Sequence, residues 1–196
     1  MSNNKKKALI LIGSKNNDSE STKIHEIMIE EFKKLNWDAT SIVLEDKNIA
    51  YCKGCFGCWV QTPGECLIKD YEETIVKNMV HSDLIIYLTP IVFGGYSSIL
   101  KKALDRKLSR ILPYFMKING EIHHVKRYEK NPSLLGIGIL DKPDAEKEEV
   151  FKSLVARNSI NMWCPYQEAM IYTRGQDSLE FINNFNKALR KVEVIL

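Results

Sequence analysis

Three solid apolar runs, at residues 8–12, 84–88 and 134–140, constrain this chain more than any other feature. A half-exposed strand alternates apolar and polar residues. A run with no polar position must be covered on both faces, as strands are in a parallel sheet between two helical layers. Each run also ends in a turn and gives way to a helical pattern. After ALILI comes Gly13, and then Ile24, Ile27, Met28 and Leu35 recur at helical spacing, with Glu30, Glu31, Lys33 and Lys34 expected on the wet side. The second run stops at Thr89-Pro90 and leads to a helix with Ile99, Leu100, Ala103, Leu104 and Leu108 on one face, ended by Pro113. The third precedes a helix whose buried face is expected to include Val150, Leu154 and Val155. Shorter strands at 40–44 and 169–172, a helix capped by Asp70 and running through Val80, and a closing helix marked by Ile182, Phe185, Leu189 and Val192 complete the pattern.

Five strands alternating with helices predict an α/β fold: a doubly wound, five-stranded parallel sheet of order 2-1-3-4-5 in three layers. The loops after strands one, three and four then meet at the carboxyl edge. Strand order reverses between strands one and three, and ligands of such sheets sit in that crevice. A chain of 196 residues suffices for one well-buried core, and no break in composition calls for a second, so residues 1–196 read as a single domain. Two segments stand outside the pattern. One is a cysteine-rich loop at 51–66. The other is a polar and aromatic insertion at 113–133, too long for an ordinary connection and expected to act as a lid or subunit contact.

The turn after the first strand is a candidate phosphate site. Ser14, Lys15, Asn16, Asn17, Ser19, Ser21 and Thr22 offer backbone N–H groups, hydroxyls and one cation at the positive end of the following helix. The plainer reading is a tight turn with an N-cap. GxGxxG is absent, which disfavours a standard dinucleotide fold, and without GxxxxGK[ST] the chain is not a P-loop NTPase. No acidic cluster ends the strand, against a phospho-acceptor receiver domain. With 28 basic and 25 acidic side chains the net charge is only +3, so nucleic acid is not an expected partner, and Lys5, Lys6 and Lys7 read as a solvated start. No apolar segment approaches the roughly 20 residues that span a bilayer, and the N-terminus lacks a signal-peptide core. The expectation is a cytoplasmic protein without a membrane partner.

Four of five cysteines, Cys52, Cys55, Cys58 and Cys66, follow the spacing C-x2-C-x2-C-x7-C. Such compact spacing suits iron-sulfur ligation, with Gly54 and Gly57 letting the backbone turn between ligands. Two other readings stand beside it: no metal, with some thiols simply packed, and zinc, which more often uses two separated CxxC knuckles. Cys164 is isolated and reads as structural.

The stretches GSKNNDSEST, CKGCFGC with PGEC, and TPIVFGGYSSILKKALDR resemble the NAD(P)H-dependent FMN reductase branch of the flavodoxin-like superfamily, and within it the iron-sulfur flavoproteins. The likeness is good over about the first 110 residues and rests on pattern beyond them. It implies that Ser14, Lys15, Ser19, Ser21 and Thr22 hold the FMN phosphate and that Pro90, Ile91, Val92, Phe93 and Gly94 line the isoalloxazine. It also implies that Cys52, Cys55, Cys58 and Cys66 carry a [4Fe-4S] cluster. Family members usually have Arg where this loop has Lys15, and the loop is longer here than in several of them. A Pro-containing turn with Gly94 and Gly95 brings main chain close to a planar ring, although Phe93 and Tyr96 also read as core aromatics.

The resemblance further implies an FMN-dependent oxidoreductase in which NAD(P)H gives hydride to flavin N5 and electrons pass to a small-molecule or protein acceptor. No side chain is then expected as catalytic acid or base, since the cofactor carries the chemistry. An electron carrier with a ferredoxin-like partner is the alternative, and a flavin-free cysteine redox or binding module a third reading. A homodimer or homotetramer is expected by the same likeness. His123 and His124 are adjacent in an extended segment and point opposite ways, so a shared ion is awkward; a lid role for His124, Arg127 or Tyr128 is the expectation. Asp105 and Arg106 read as local ion-pair partners, and Trp59 and Trp163 as core or as flanking a flavin or an interface.

Overall fold

The structure is a computed structural model that describes residues 5–192. Strands β1 (Lys7–Ile12), β2 (Asp38–Val43), β3 (Leu84–Pro90), β6 (Ser133–Leu140) and β7 (Gln167–Thr173) form one parallel sheet of order β2-β1-β3-β6-β7. Strands β4 (Ile111–Ile118) and β5 (Glu121–Lys126) pair with each other outside it. Counting only the sheet's own strands, this is the expected 2-1-3-4-5 order.

The period-2 geometry of β1 sends Ala8, Ile10 and Ile12 to one face and Leu9 and Leu11 to the other. On the first face they meet Ile24, Met28 and Phe32 of α1 (Ser19–Lys34) and Phe181 and Phe185 of α6 (Ser178–Val192). On the second they meet α3 (Glu72–His81), α4 (Ser98–Asp105) and α5 (Ala145–Asn161), through Ile75, Leu100 and Phe151, while α2 (Gly57–Val60) is a single turn within the cysteine segment. The sheet is thus covered on both sides, as its solid apolar strands require. In β6, a Cβ on Gly136 would lie 2.4 Å from Val155 Cγ2, so glycine there is the condition for α5 to lie close.

Several helical details differ from the sequence reading. Glu31 is buried, not solvated, because Lys34 Nζ and Asn186 Nδ2 both donate to its carboxylate at 2.5 and 2.8 Å, while Leu35 sits exposed as the C-cap. Phe151 replaces Val150 on the buried face of α5, and Val150 is 47% exposed. The helix after the second loop ends at Asp105, well before Pro113, and Leu108 belongs to a 3-10 turn over Lys107–Arg110.

The 113–133 insertion is no irregular excursion. Most of it is an antiparallel β4–β5 hairpin turned at Asn119 (φ +50) and Gly120 (φ +91). Its root is pinned by Trp59 Nε1 donating to the Leu108 and Ile111 carbonyls, Arg127 Nε to Ser109 O, and Trp163 Nε1 to His124 O. His123 is bonded to Asn161 and Glu121, and His124 to the Leu112 carbonyl, so the two imidazoles serve different partners. Arg127, Trp59 and Trp163 anchor the hairpin.

Candidate functional site

At the carboxyl edge β1 and β3 stay in close contact. Gly13 N donates to Leu88 O at 2.8 Å, and Ser97 Oγ donates to Gly13 O at 2.6 Å. A Cβ on Gly13 would lie 2.6 Å from Leu100 Cβ, so only glycine lets the first turn lie against α4. Ser97 also accepts from Leu100 N as the N-cap of α4, while its own N–H donates to Thr89 Oγ1. The two expected loops are therefore joined by one hydroxyl.

Within the first loop, the side chains of Ser14 and Ser21 are almost fully buried, and neither hydroxyl has a hydrogen-bond partner. They line a cavity of about 140 Å³ together with Lys15, Asn16, Thr22 and His25. Two orphaned buried hydroxyls each cost roughly 1–3 kcal/mol, which a group rich in acceptor oxygens would recover. An FMN phosphate fits this donor set. Ser19 stands apart from the pair: it lines a neighbouring cleft of about 390 Å³ with Lys15, Asn17, Asp18, Pro90 and Arg174. That cleft runs from the first loop to the second, across the reversal of strand order. Asn16 is held by acidic groups, its N–H on Glu45 Oε2 and its amide on Asp46 Oδ1.

Arg174, just beyond β7, was not legible as a site residue. Its Nη1 and Nη2 donate to Asp18 Oδ1 and Oδ2 at 2.7 and 2.8 Å, and its Nε to Asp141 Oδ1 at 2.8 Å. Asp18 caps α1 by accepting from Ser21 N. The hydrogen bonds from Arg174 hold the Asp18 carboxyl below its ordinary range and push the guanidinium up in turn. Behind them, Tyr172 Oη donates to Glu20, and burial with that contact raises the phenol to about 12. The loops after β1, β6 and β7 are thereby fixed to one another before any ligand arrives.

The second loop closes on itself. Val92 N donates to Gly95 O and Gly95 N to Val92 O, with Phe93 (φ +50) and Gly94 (φ +80) at the corners, the pattern of a tight primed turn. Gly94 is required twice over, by its φ and because a Cβ would lie 2.7 Å from Val150 Cγ1. Of the five residues expected to line a ring, Pro90 borders the cleft and Ile91 packs toward Gly138 of β6. Val92 and Phe93 project outward, and Phe93 is 95% exposed. A large aromatic held with positive φ and left in water is a costly arrangement of the kind found where ligands bind.

Cys52 and Cys55 are exposed, Cys58 and Cys66 half-buried. Burial raises the Cys58 thiol, and Cys66 adds to the effect. Among the described residues no three His, Cys, Asp or Glu side chains stand grouped to hold a metal ion. The four thiols as arranged do not form a ligand set. The segment itself is tied down at both ends. Arg106 donates from Nη1 to Ala50 O and from Nη2 to Ile68 O, and pairs with Asp70, which also accepts from Ala50 N. Burial pushes the Asp70 carboxyl up, but the N–H groups of Ala50 and Arg106 outweigh it and leave the carboxyl below its usual range. The expected local Asp105–Arg106 pair is not formed: Asp105 takes Lys101, and Arg106 takes a partner 36 residues away. Beside the clamp, Glu72 is fully buried, with neither carboxylate oxygen hydrogen-bonded, on the wall of a cavity of about 330 Å³.

An iron-sulfur flavoprotein of Archaeoglobus fulgidus is 33% identical to the chain over 110 residues, covering 56% of this chain and 53% of the relative. An iron-sulfur flavoprotein of Methanosarcina thermophila is 28% identical over 96 residues, 49% of each. The chain thus spans about half the length of the curated relatives it matches. In fold it is similar to an NAD(P)H:quinone oxidoreductase from Methanothermobacter marburgensis, with TM-score 0.71 and 12% identity over 96% of this chain and 100% of that one. It is similar also to an FMN-dependent NADH-azoreductase from Bacillus anthracis, solved with FMN, with TM-score 0.64 and 17% identity over 96% and 100%. The family described as NADPH-dependent FMN reductase matches residues 6–129, a stretch holding both switch-point loops and the cysteine segment. With the flavodoxin-like strand order and the joined Gly13 and Ser97 turns, that match over more than half of the chain means that it belongs to the NADPH-dependent FMN reductase family.

Proposed function

We propose that the chain is an FMN-dependent oxidoreductase that takes electrons from a reduced nicotinamide and passes them to a small-molecule or protein acceptor. The observation that carries this reading is the pair of buried hydroxyls, Ser14 and Ser21, left without partners at the reversal of strand order. Ser14, Ser21 and Thr22 would hold the phosphate, with Lys15 supplying charge at the rim and Ser19 lining the cleft toward Pro90. FMN bound there supplies hydride and electron transfer between donor and acceptor. The chain's own part is to bind and orient. The Val92–Gly95 turn offers a close-lying main chain, the Phe93 ring offers apolar surface, and the Asp18–Arg174–Asp141 links hold the rim still.

The spacing of Cys52, Cys55, Cys58 and Cys66 and the names of the curated relatives support an iron-sulfur centre on the 51–66 segment. Exposed apolar side chains on the hairpin, among them Tyr114, Phe115 and Ile122, support assembly as a homo-oligomer. The test is titration of the chain with FMN followed by flavin fluorescence, and then anaerobic addition of NADH or NADPH. Quenching that saturates at one FMN per chain, followed by bleaching with a nicotinamide, is the expected result. A chain that leaves FMN fluorescence unchanged overturns the reading.

A further inference from the structure

Arg110 and Lys107 lie on a cavity that adjoins the proposed flavin turn at Gly95 and the cysteine segment at Cys52 and Gly54, but to which the FMN reading gives no ligand. It has a volume of about 690 Å³ and is lined by Tyr96, Leu104, Leu108, Ile111, Leu154 and Met162 together with Lys107 and Arg110; a third cation on the wall, Lys101, is paired with Asp105. Sites for small molecules run to about 300–1,000 Å³ and are mostly apolar with a few placed polar groups. Arg110 is only 4% exposed, and its Nε and Nη1 have no partner; its Nη2 reaches only Asn131 Oδ1, at 3.4 Å. Lys107 Nζ bonds Asn158 Oδ1 at 3.2 Å. The hydroxyl of Tyr96 is likewise buried and unpartnered.

The counter-ion is missing. Asp105 is the one carboxylate on the wall among the described residues, and it is paired with Lys101. Cys164, Tyr87 and Tyr96 nearby supply no anion either: burial pushes the Cys164 thiol up to about 11 and raises the Tyr87 and Tyr96 phenols further. Burial and the neighbouring guanidinium push Lys107 down to about 8, and burial lowers Arg110 as well. Two cations in an apolar cavity with no anion between them are a charge arrangement that a folded chain does not keep for stability.

We propose that this cavity is a binding site for an organic carboxylate with an apolar, ring-sized body, its head on Arg110 and Lys107 and its body against the walls of α4 and α5. A guanidinium and an ammonium side by side match a carboxylate, and six apolar side chains match what carries it. A bare inorganic anion would satisfy the base and leave the walls wet.

The test uses the full chain without added FMN, so that failure here and failure of the FMN reading are seen separately. Benzoate, its neutral isostere benzamide, and inorganic phosphate are the probes, read by calorimetry and by thermal melting. Benzoate is expected to bind saturably and raise the melting temperature, with benzamide and phosphate silent. Arg110→Met is expected to raise the melting temperature of the ligand-free chain, since it removes an uncompensated buried charge, and to weaken benzoate by about tenfold or more, as loss of a charged hydrogen bond does. Lys107→Met is the second variant should Arg110→Met fold poorly, with the same paired outcome. The proposal is overturned if benzoate and benzamide behave alike or if phosphate alone binds. It is overturned equally if both variants lower stability while leaving the benzoate response in place, or if their only effect is on the mass of the assembly.

Discussion

Replacing Glu72 by Gln tests whether the carboxyl beside the Arg106 clamp is neutral in the folded chain. Burial outweighs the attraction of Arg106 and raises Glu72 to about 8, against an ordinary value of 4.5. A carboxyl raised on folding is proton-bound in the native state where the unfolded chain has already released it. Stability therefore falls as pH climbs from about 4.5 toward 8, and is free of this cost below 4.5. At pH 7 the cost is about 1.36 kcal/mol for each of roughly 2.5 pH units, or ~3 kcal/mol. Gln keeps the shape and does not titrate. Urea melts of both proteins at pH 4, 5, 6 and 7 should coincide within error at pH 4 and diverge steadily, with Glu72→Gln more stable by ~3 kcal/mol at pH 7. A variant that is less stable at pH 7 would mean that Glu72 is ionised and held by Arg106, and a gap that does not change with pH would mean that its carboxyl is not shifted on folding; either result would refute the reasoning.

Ser14→Ala and Ser21→Ala should each weaken FMN by about ten- to a hundredfold, the worth of a hydrogen bond to a charged group, in a fluorescence titration; unchanged affinity removes these hydroxyls from the site. Arg174→Gln frees Asp18, whose depressed carboxyl contributes stability above its ordinary 3.8 that is lost as pH falls through the native value. The variant should lose about 1–3 kcal/mol at pH 7 and much less near pH 2, seen in denaturant melts. Gly94→Ala forces a side chain onto φ +80 and into Val150, and should cost about 1–3 kcal/mol while also weakening FMN. Phe115→Asp combined with Ile122→Asp should shift the mass in light scattering toward a single 22.6 kDa chain; an unchanged mass would free the hairpin of any role in assembly.

What the sequence yields and what it hides divide along physical lines. Solid apolar runs such as 134–140 betray a doubly covered strand, and three of them with two shorter strands, all alternating with helices, point to the order of the sheet. Both switch-point loops were visible because glycine, proline and hydroxyl residues mark turns locally. The hairpin was obscured because 111–118 does not alternate and carries Pro113, although Asn119-Gly120 is the strongest short-range hairpin mark in the chain. Arg174 with Asp18 and Arg106 with Asp70 had no such trace. Their partners lie 156 and 36 residues apart, and pairs of that kind leave no period in the sequence. Glu31 shows the converse: the helical wheel puts it outside, and Asn186 of a distant helix draws it in.

The double tether at Arg106 gives the cysteine segment a particular evolutionary standing. Because one guanidinium gathers the chain just before Cys52 and just after Cys66, the residues between them form a lariat whose ends are set independently of its contents. Lengthening or respacing such a lariat costs little, since closing a loop becomes only slightly harder with each added residue. Sheet and cofactor crevice can then be inherited unchanged while the thiols are gained, lost or re-spaced, so the two regions of this fold are free to diversify at different rates.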